Sequence, residues 1–300
     1  MSKTYVVYNA HTMDGQASAL AAYFRFKNDA IYLAFDYGKL SIFEYFTKGD
    51  IADHIYILGL HLTPQDLARI SSYGKNVTYI DHMPVELSES SKTKITQFSI
   101  PERSTCVSAW SYFLPSDMVP ETLLIIEDVV LHKNEISNSR FIYDGLRYKM
   151  LQCEEDAFLL NTQHFISPNL SELAVEGMQV GSFFQTTASY LASNCGYSNL
   201  LDYKCAFINA PKLFSYHIIK HLLSLGKYDY VFLYSDCRVS GYVYRSWSVG
   251  CRSGLDYDAS LIANIFDGYG TQSFAGFVSS LNLRENDICS EIVQYINAKL

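Results

Sequence analysis

The sequence predicts an α/β protein of two lobes: an N-terminal, mainly parallel sheet flanked by helices and a smaller C-terminal α/β domain, joined by a helical linker. Three observations predict it. Short β-branched and aromatic runs alternate with stretches of helical period over the first hundred residues, the pattern of parallel sheets with right-handed crossovers. The middle of the chain turns mainly helical, and a second strand–helix alternation begins near residue 204. The length of 300 residues suits two domains of roughly 150 each. The first lobe is read as residues 1–165, the linker as 166–203 and the second lobe as 204–300.

Thr4 to Tyr8 is an apolar β run that ends in polar residues and Gly15. From Ser18 to Phe26, Ala and Leu recur at three- and four-residue spacing, which predicts a helix. Ile31 to Phe35 and Ile55 to Leu58 read as the second and third strands. Thr63-Pro64 sets an N-cap with Pro at the first helical position, opening a helix over Gln65 to Tyr73. Val77 to Ile80 is the fourth strand, closing on Asp81-His82. Helices follow over Thr105–Leu114, Pro120–His132, Ser139–Leu146 and Leu170–Asn194, punctuated by turns at Ser167-Pro168-Asn169 and Asn194-Cys195-Gly196. The second lobe reads as a strand at Cys205–Asn209, a helix at Pro211–Leu225 and strands at Tyr230–Tyr234 and Gly241–Val249.

Hydrophobic residues at 49% against 18% charged exclude a disordered chain, and 16 Gly with 7 Pro exclude a collagen-like one. A net charge of −8 argues against non-specific coating of nucleic acid while allowing a local basic groove. No run approaches the roughly 18 apolar residues of a membrane span. Met1-Ser2-Lys3-Thr4 leads straight into Tyr5–Tyr8, too short for a signal-peptide core, so no membrane partner is expected. Seven cysteines, odd in number and without a C-x-x-C pair, suggest reduced thiols and a cytoplasmic setting.

Parallel sheets bind ligands beyond the carboxyl ends of their strands. Here those ends carry Asn9 to Asp14, Gly59 to His61, and Asp81-His82. The strand Val77–Ile80 delivers a carboxylate and an imidazole to its tip, donors that suit a divalent metal on a rigid element or that serve as a capping Asp beside a solvent-facing His. His11-Thr12-Met13-Asp14-Gly15 precedes a helix whose free N–H groups favour phosphate, or are capped by Asp14.

Together these tips resemble the DHH phosphoesterase superfamily. Tyr8-Asn9-Ala10-His11-Thr12-Met13-Asp14-Gly15-Gln16-Ala17-Ser18-Ala19 is similar to the family's first motif, and Ile55–Gly59 followed by Leu62-Thr63-Pro64-Gln65-Asp66-Leu67 is similar to its second. Asp81-His82-Met83 is similar to the Asp-His-His motif that names the family. The helix start Ser104–Ala109 and the acidic pair Glu127-Asp128 fit its next features. In the second half, Ser248–Ser253, Asp258–Ala263 and Asp267–Phe277 resemble the associated C-terminal domain, with its Arg-Ser strand end and glycine-rich substrate loop. The resemblance spans nearly the whole chain in family order.

It implies two divalent ions, normally manganese, that activate a water and clamp a phosphate. Several expected ligands are replaced: Gly59 stands at the second-motif Asp, Met83 at the last His of Asp-His-His, Thr12 two residues before Asp14, and Thr271 at the histidine of the glycine loop. The ligands left are His11, Asp14, His61, Asp81, His82 and Asp128, a set suited to at most one Mn2+ or Mg2+ ion. His61 enters because residues two apart on a strand face the same way. Asp81 and His82 are the expected catalytic pair; Arg252, Ser253, Gly268, Gly270 and Arg245 are the expected substrate contacts.

The leading expectation is a divergent family member that holds a nucleotide or short single-stranded nucleic acid in the cleft between lobes, with hydrolysis weakened or lost. An active metal-dependent phosphodiesterase or phosphatase is the enzyme alternative, and a structural module within a homodimer or larger assembly is the third. His217 and His221, four apart, carry the spacing of a two-histidine metal face, but without a carboxylate motif they read as an ordinary helix face. Arg238, Arg245 and Arg252 could fork onto phosphates, with Tyr242, Tyr244 and Trp247 as neighbouring aromatics able to stack on bases.

Overall fold

Alternation of apolar side chains along each strand buries both faces of the N-terminal sheet and sets its layers. The computed structural model describes residues 3–10, 12–35, 42–46, 51–60, 62, 64–131, 133–151, 163–166, 168–239, 242–254, 257–266, 268–270, 272–280, 287–292 and 294. The chain forms two units, Met1–Gly181 and Ser182–Leu300.

The first unit runs β1 (Thr4–Asn9), α1 (Met13–Phe26), β2 (Ile31–Phe35), β3 (Ala52–Leu58), α2 (Pro64–Ile70), β4 (Gly74–Ile80), α3 (Glu89–Lys92), β5 (Ile95–Phe98), α4 (Thr105–Phe113), α5 (Glu121–Val130), α6 (Ser139–Leu151), α7 (Gln163–Ile166) and α8 (Leu170–Ala192), the last continuing into the second unit. Its five strands order β2-β1-β3-β4-β5, every pair parallel. Val6, Tyr8, Tyr56 and Leu58 face α1 and α4, packing on Leu20, Val107 and Trp110. Tyr5, Val7, Ile55, Ile57, Val77 and Tyr79 face the other way onto Leu67 and Ile70 of α2. Small residues Ala17, Ser18, Ala21 and Ala22 are buried along α1.

Helices α6 and α8 approach closely through glycines. A Cβ at Gly177 would overlap the Phe141 carbonyl, one at Gly145 the Leu173 carbonyl, and one at Gly181 would stand 3.3 Å from an Asp144 carboxylate oxygen. Arg140 grips Asp144 one turn along α6, with an Nη2–Oδ1 distance of 3.1 Å.

The second unit adds β6 (Gly196–Leu200), β7 (Tyr203–Asn209), α9 (Ser215–Ser224), β8 (Tyr230–Val239), β9 (Tyr242–Cys251), α10 (Ala259–Ile265), β10 (Tyr269–Gly270) and β11 (Phe274–Ser280). They form a mixed sheet, β10-β11-β9-β8-β7-β6, in which only β7 and β8 are parallel. One face packs Phe207, Phe232, Trp247, Val249 and Phe277 against α10 and residues 288 and 292. The other packs Ala206, Ile208, Val231 and Leu233 against α9 and the end of α8.

The chain is therefore a two-unit α/β protein, with a five-stranded parallel sheet in the first unit and a six-stranded mixed sheet in the smaller second unit. Four strands escape the sequence pattern: β5, β6, β10 and β11. β5 has four residues, too few for a period to show, and β6 reads Gly-Tyr-Ser-Asn-Leu, with polar residues that belong to loops by propensity. The helix expected over Pro211–Leu225 is a 3-10 turn, Lys212–Phe214, followed by α9. Thr63 and Gly241 lie outside the described residues. Among the described residues no helix is long and apolar enough to cross a membrane.

Candidate functional site

In the first unit, β1 feeds β2 on one side and lies beside β3 on the other, so the strand order reverses between β1 and β3. The carboxyl ends at such a reversal are where open α/β sheets bind ligands. Three local devices shape this edge. Thr12 caps α1, its Oγ1 accepting from the Gly15 N–H at 3.0 Å. Gly15 packs against the Asn9 main chain so closely that a Cβ there would overlap the Asn9 carbonyl. Gly59 turns the chain after β3 with φ +62°, a left-handed conformation that favours glycine. Its N–H donates to the Ile80 carbonyl at 3.0 Å, and its own carbonyl accepts from Asn9 Nδ2 at 3.2 Å.

Asp14, in the first turn of α1, is buried. Its Oδ1 accepts the Cys106 N–H at 2.7 Å and its Oδ2 the Thr105 N–H at 3.1 Å. The carboxylate thus meets the positive end of α4, whose first N–H groups have no partner within the helix. Ser104 completes this turn as its N-cap. Asp81 follows β4 and is buried; its Oδ1 accepts the Met83 N–H at 3.0 Å and stands 3.2 Å from His82 Nδ1. His82 Nδ1 is 3.1 Å from Thr105 Oγ1 and 4.0 Å from Asp14 Oδ2, and the Thr105 hydroxyl also accepts the His82 N–H. Burial would lower the His82 pKa, but the Asp81 hydrogen bond and the charges of Asp81 and Asp14 outweigh it, and the pKa is raised.

The structure brings Asp14, Asp81 and His82 together around Thr105, a residue the sequence marked only as part of a helix start. Asp128 holds a turn through one of its oxygens. Asp128 is buried in α5, and its Oδ1 accepts the N–H groups of Glu135 at 2.7 Å and Ile136 at 3.3 Å, tying down the turn after the helix. Its neighbour Glu127 was missed as a structural centre. Burial would raise its pKa, but Arg103, Lys133 and the Ser104 N–H, all within 2.9 Å, hold it below the usual carboxylate range. His11 and His61 lie outside the described residues.

In the second unit, Arg252 follows β9 and is largely exposed; its N–H donates to the Asp229 carbonyl at 2.9 Å, and its Nη1 is 3.6 Å from Asp229 Oδ1. Ser253 beside it is exposed. Gly268 donates its N–H to the Ala263 carbonyl at 2.9 Å, and Gly270 in β10 pairs with Ala275 of β11. Arg245 sits near the other end of β9, pairing with Asp236 and lying 4.4 Å over the Tyr234 ring. Seven residues at about 3.3 Å each separate Arg245 from Arg252, so they do not form one cluster. The Arg238 side chain falls outside the described residues. Trp247 is no stacking platform: it is 1% exposed, stacked on Phe277, with its indole N–H donated to Ser279. His217 is buried against Phe184, rings 5.1 Å apart, and His221 Nδ1 lies 3.4 Å from Ser189 Oγ, so the two histidines serve packing.

Among the described residues no three His, Cys, Asp or Glu side chains are grouped to hold a metal ion. His82 approaches Asp81 at 3.2 Å and Asp14 at 4.0 Å, and both oxygens of Asp14 already accept main-chain N–H groups. A pair of divalent ions a few ångströms apart needs bridging carboxylates to offset its repulsion, and the described residues do not fit such a pair.

These features define an α/β chain with the fold of the DHH phosphoesterases. No family profile matches this sequence, and no curated protein does either. The exonuclease RecJ bound to manganese is similar in structure, with 12% identity and a TM-score of 0.54 over 99% of this chain and 90% of that one. RecJ from Thermus thermophilus, in complex with Mn2+, aligns over 99% of this chain and 52% of that one, with 12% identity and a TM-score of 0.53. An exopolyphosphatase-related protein from Bacteroides fragilis aligns over 99% and 92%, with 12% identity and a TM-score of 0.49.

Proposed function

We propose that the chain binds the phosphate of a nucleotide or short single-stranded nucleic acid at the carboxyl edge of its parallel sheet, with phosphoester hydrolysis weakened or lost. The observation that carries this reading is the use of Asp14. A carboxylate placed where the family would ligate metal caps the first turn of α4 instead. Asp14, Asp81 and His82 do not by themselves form a metal-holding group, so one weakly held Mn2+ or Mg2+ ion is the most in whose binding they would share. The fold shared with an exonuclease supports a nucleic-acid phosphate as the ligand class.

Isothermal titration with mononucleotides and with short oligonucleotides, with and without manganese, tests the proposal. Binding in at least one series is expected, with no manganese-dependent release of phosphate or mononucleotide. No binding under any condition overturns the ligand assignment. Manganese-dependent release abolished by Asp81→Ala overturns the loss of hydrolysis and makes the chain an active phosphoesterase.

A further inference from the structure

The two sheets have four edges, and an unprotected edge is a template for another strand. At β5, the Gln97 side chain bonds Val85 on both main-chain groups, accepting its N–H at 3.1 Å and donating to its carbonyl, so the segment around Val85 lies along that edge. At β2, the Tyr45 hydroxyl donates to the Ala34 carbonyl at 2.7 Å. β10 is two residues long. β6 differs from all three. It pairs with β7 on one side only, and among the described residues no side chain or loop bonds the main chain of Tyr197, Ser198 or Asn199 from the other side.

The chemistry of β6 is equally distinct. From Ser193 to Leu201 the sequence reads Ser-Asn-Cys-Gly-Tyr-Ser-Asn-Leu-Leu, without a charge or a proline. Charged residues and prolines are the usual protection of an edge. Tyr197 is 85% exposed, and Tyr190 near the end of α8 is 74% exposed, while Leu200 anchors the strand in the core.

We propose that β6 is the contact through which a second copy of this chain joins, two β6 strands pairing antiparallel about a two-fold axis. Such an interface sets each patch against itself. In a chain of net charge −8, a self-facing patch has to be free of like charge, and this one is. With the axis at Ser198, Tyr197 of each copy faces the partner's Asn199. Asp202, the nearest acid, faces the partner's Asn194 and never another acid. The main chain of each strand then completes its hydrogen bonds on the partner, the strand-addition mode of recognition.

Sedimentation or light scattering of the full chain, from below 1 μM to about 100 μM, reads the association by mass action. The mass is expected to rise from 34.0 kDa toward twice that value. Tyr197→Lys with Asn199→Lys sets like charges opposite each other and is expected to stay monomeric at the highest concentration, with an unchanged thermal midpoint. Amide hydrogen exchange gives an independent reading: β6 amides slow at high concentration in the unsubstituted chain and stay fast in the double variant. A chain that remains monomeric with fast-exchanging β6 amides overturns the proposal, as does a dimer that survives the double substitution. Protection of β6 only when a foreign extended peptide is added overturns the choice of a second copy.

Discussion

At the scale of single residues, the proposed site turns on a few side chains. Gly59 stands at the strand end where the resemblance expects a carboxylate, and Met83, whose thioether is a poor ligand for manganese, stands where it expects a histidine. The structure shows room at position 59. A Cβ there would meet Gly15 Cα at 3.5 Å and Thr105 Cγ2 at 3.7 Å, ordinary contacts, and Asp tolerates φ +62° at a cost of about 1 kcal/mol. Gly59→Asp with Met83→His is therefore expected to tighten manganese binding in a calorimetric titration. An unsubstituted chain that already holds two manganese ions by elemental analysis would contradict it. Asp14, Asp81 and His82 were legible because each ends a strand or opens a helix in a recognisable order. Thr105 and Glu127 were not, because their partners are His82, Arg103 and Lys133, contacts that only the folded chain creates. The turn-holding bond of Asp128 was hidden for the same reason: an acidic residue on a helix looks alike in sequence whether or not it also ties down the turn seven residues on.

At the scale of elements, strands with clear alternation and helices with clear caps were read within a few residues, as at β2 and at α4 with its Ser104 cap. Short or polar strands such as β5 and β6 are held by sheet neighbours and not by their own propensity. The α6–α8 crossing is another feature hidden from local pattern. Gly177 sits within a helix, where propensity alone favours Ala by about 1 kcal/mol. A Cβ there collides with the Phe141 main chain, which has no flexible side chain to yield. Gly177→Ala is accordingly expected to destabilise the protein, by about 1–3 kcal/mol or more from overpacking. Urea unfolding checks this; a gain in stability would mean that the helices part freely.

At the scale of the whole molecule, the two units carry one tryptophan each, Trp110 in α4 and Trp247 in β9, so Trp247→Phe leaves a reporter of the first unit alone. That reporter can time the event on which the candidate site depends. The bond from Asp14 to the Thr105 main chain joins residues 91 apart in sequence. Closing so long a loop costs chain entropy before any contact repays it, and α4 at nine residues is too short to persist alone. The clasp between α1 and α4 is thus expected to form on the native side of the folding barrier, after the strands between them have paired. Asp14→Asn in the Trp247→Phe background should then speed unfolding while leaving refolding nearly unchanged. Slower refolding at an unaltered unfolding rate would place the clasp in the nucleus instead. On this expectation an edge completed last is also released first, and the carboxylate that shapes the candidate site would set how long it persists between openings.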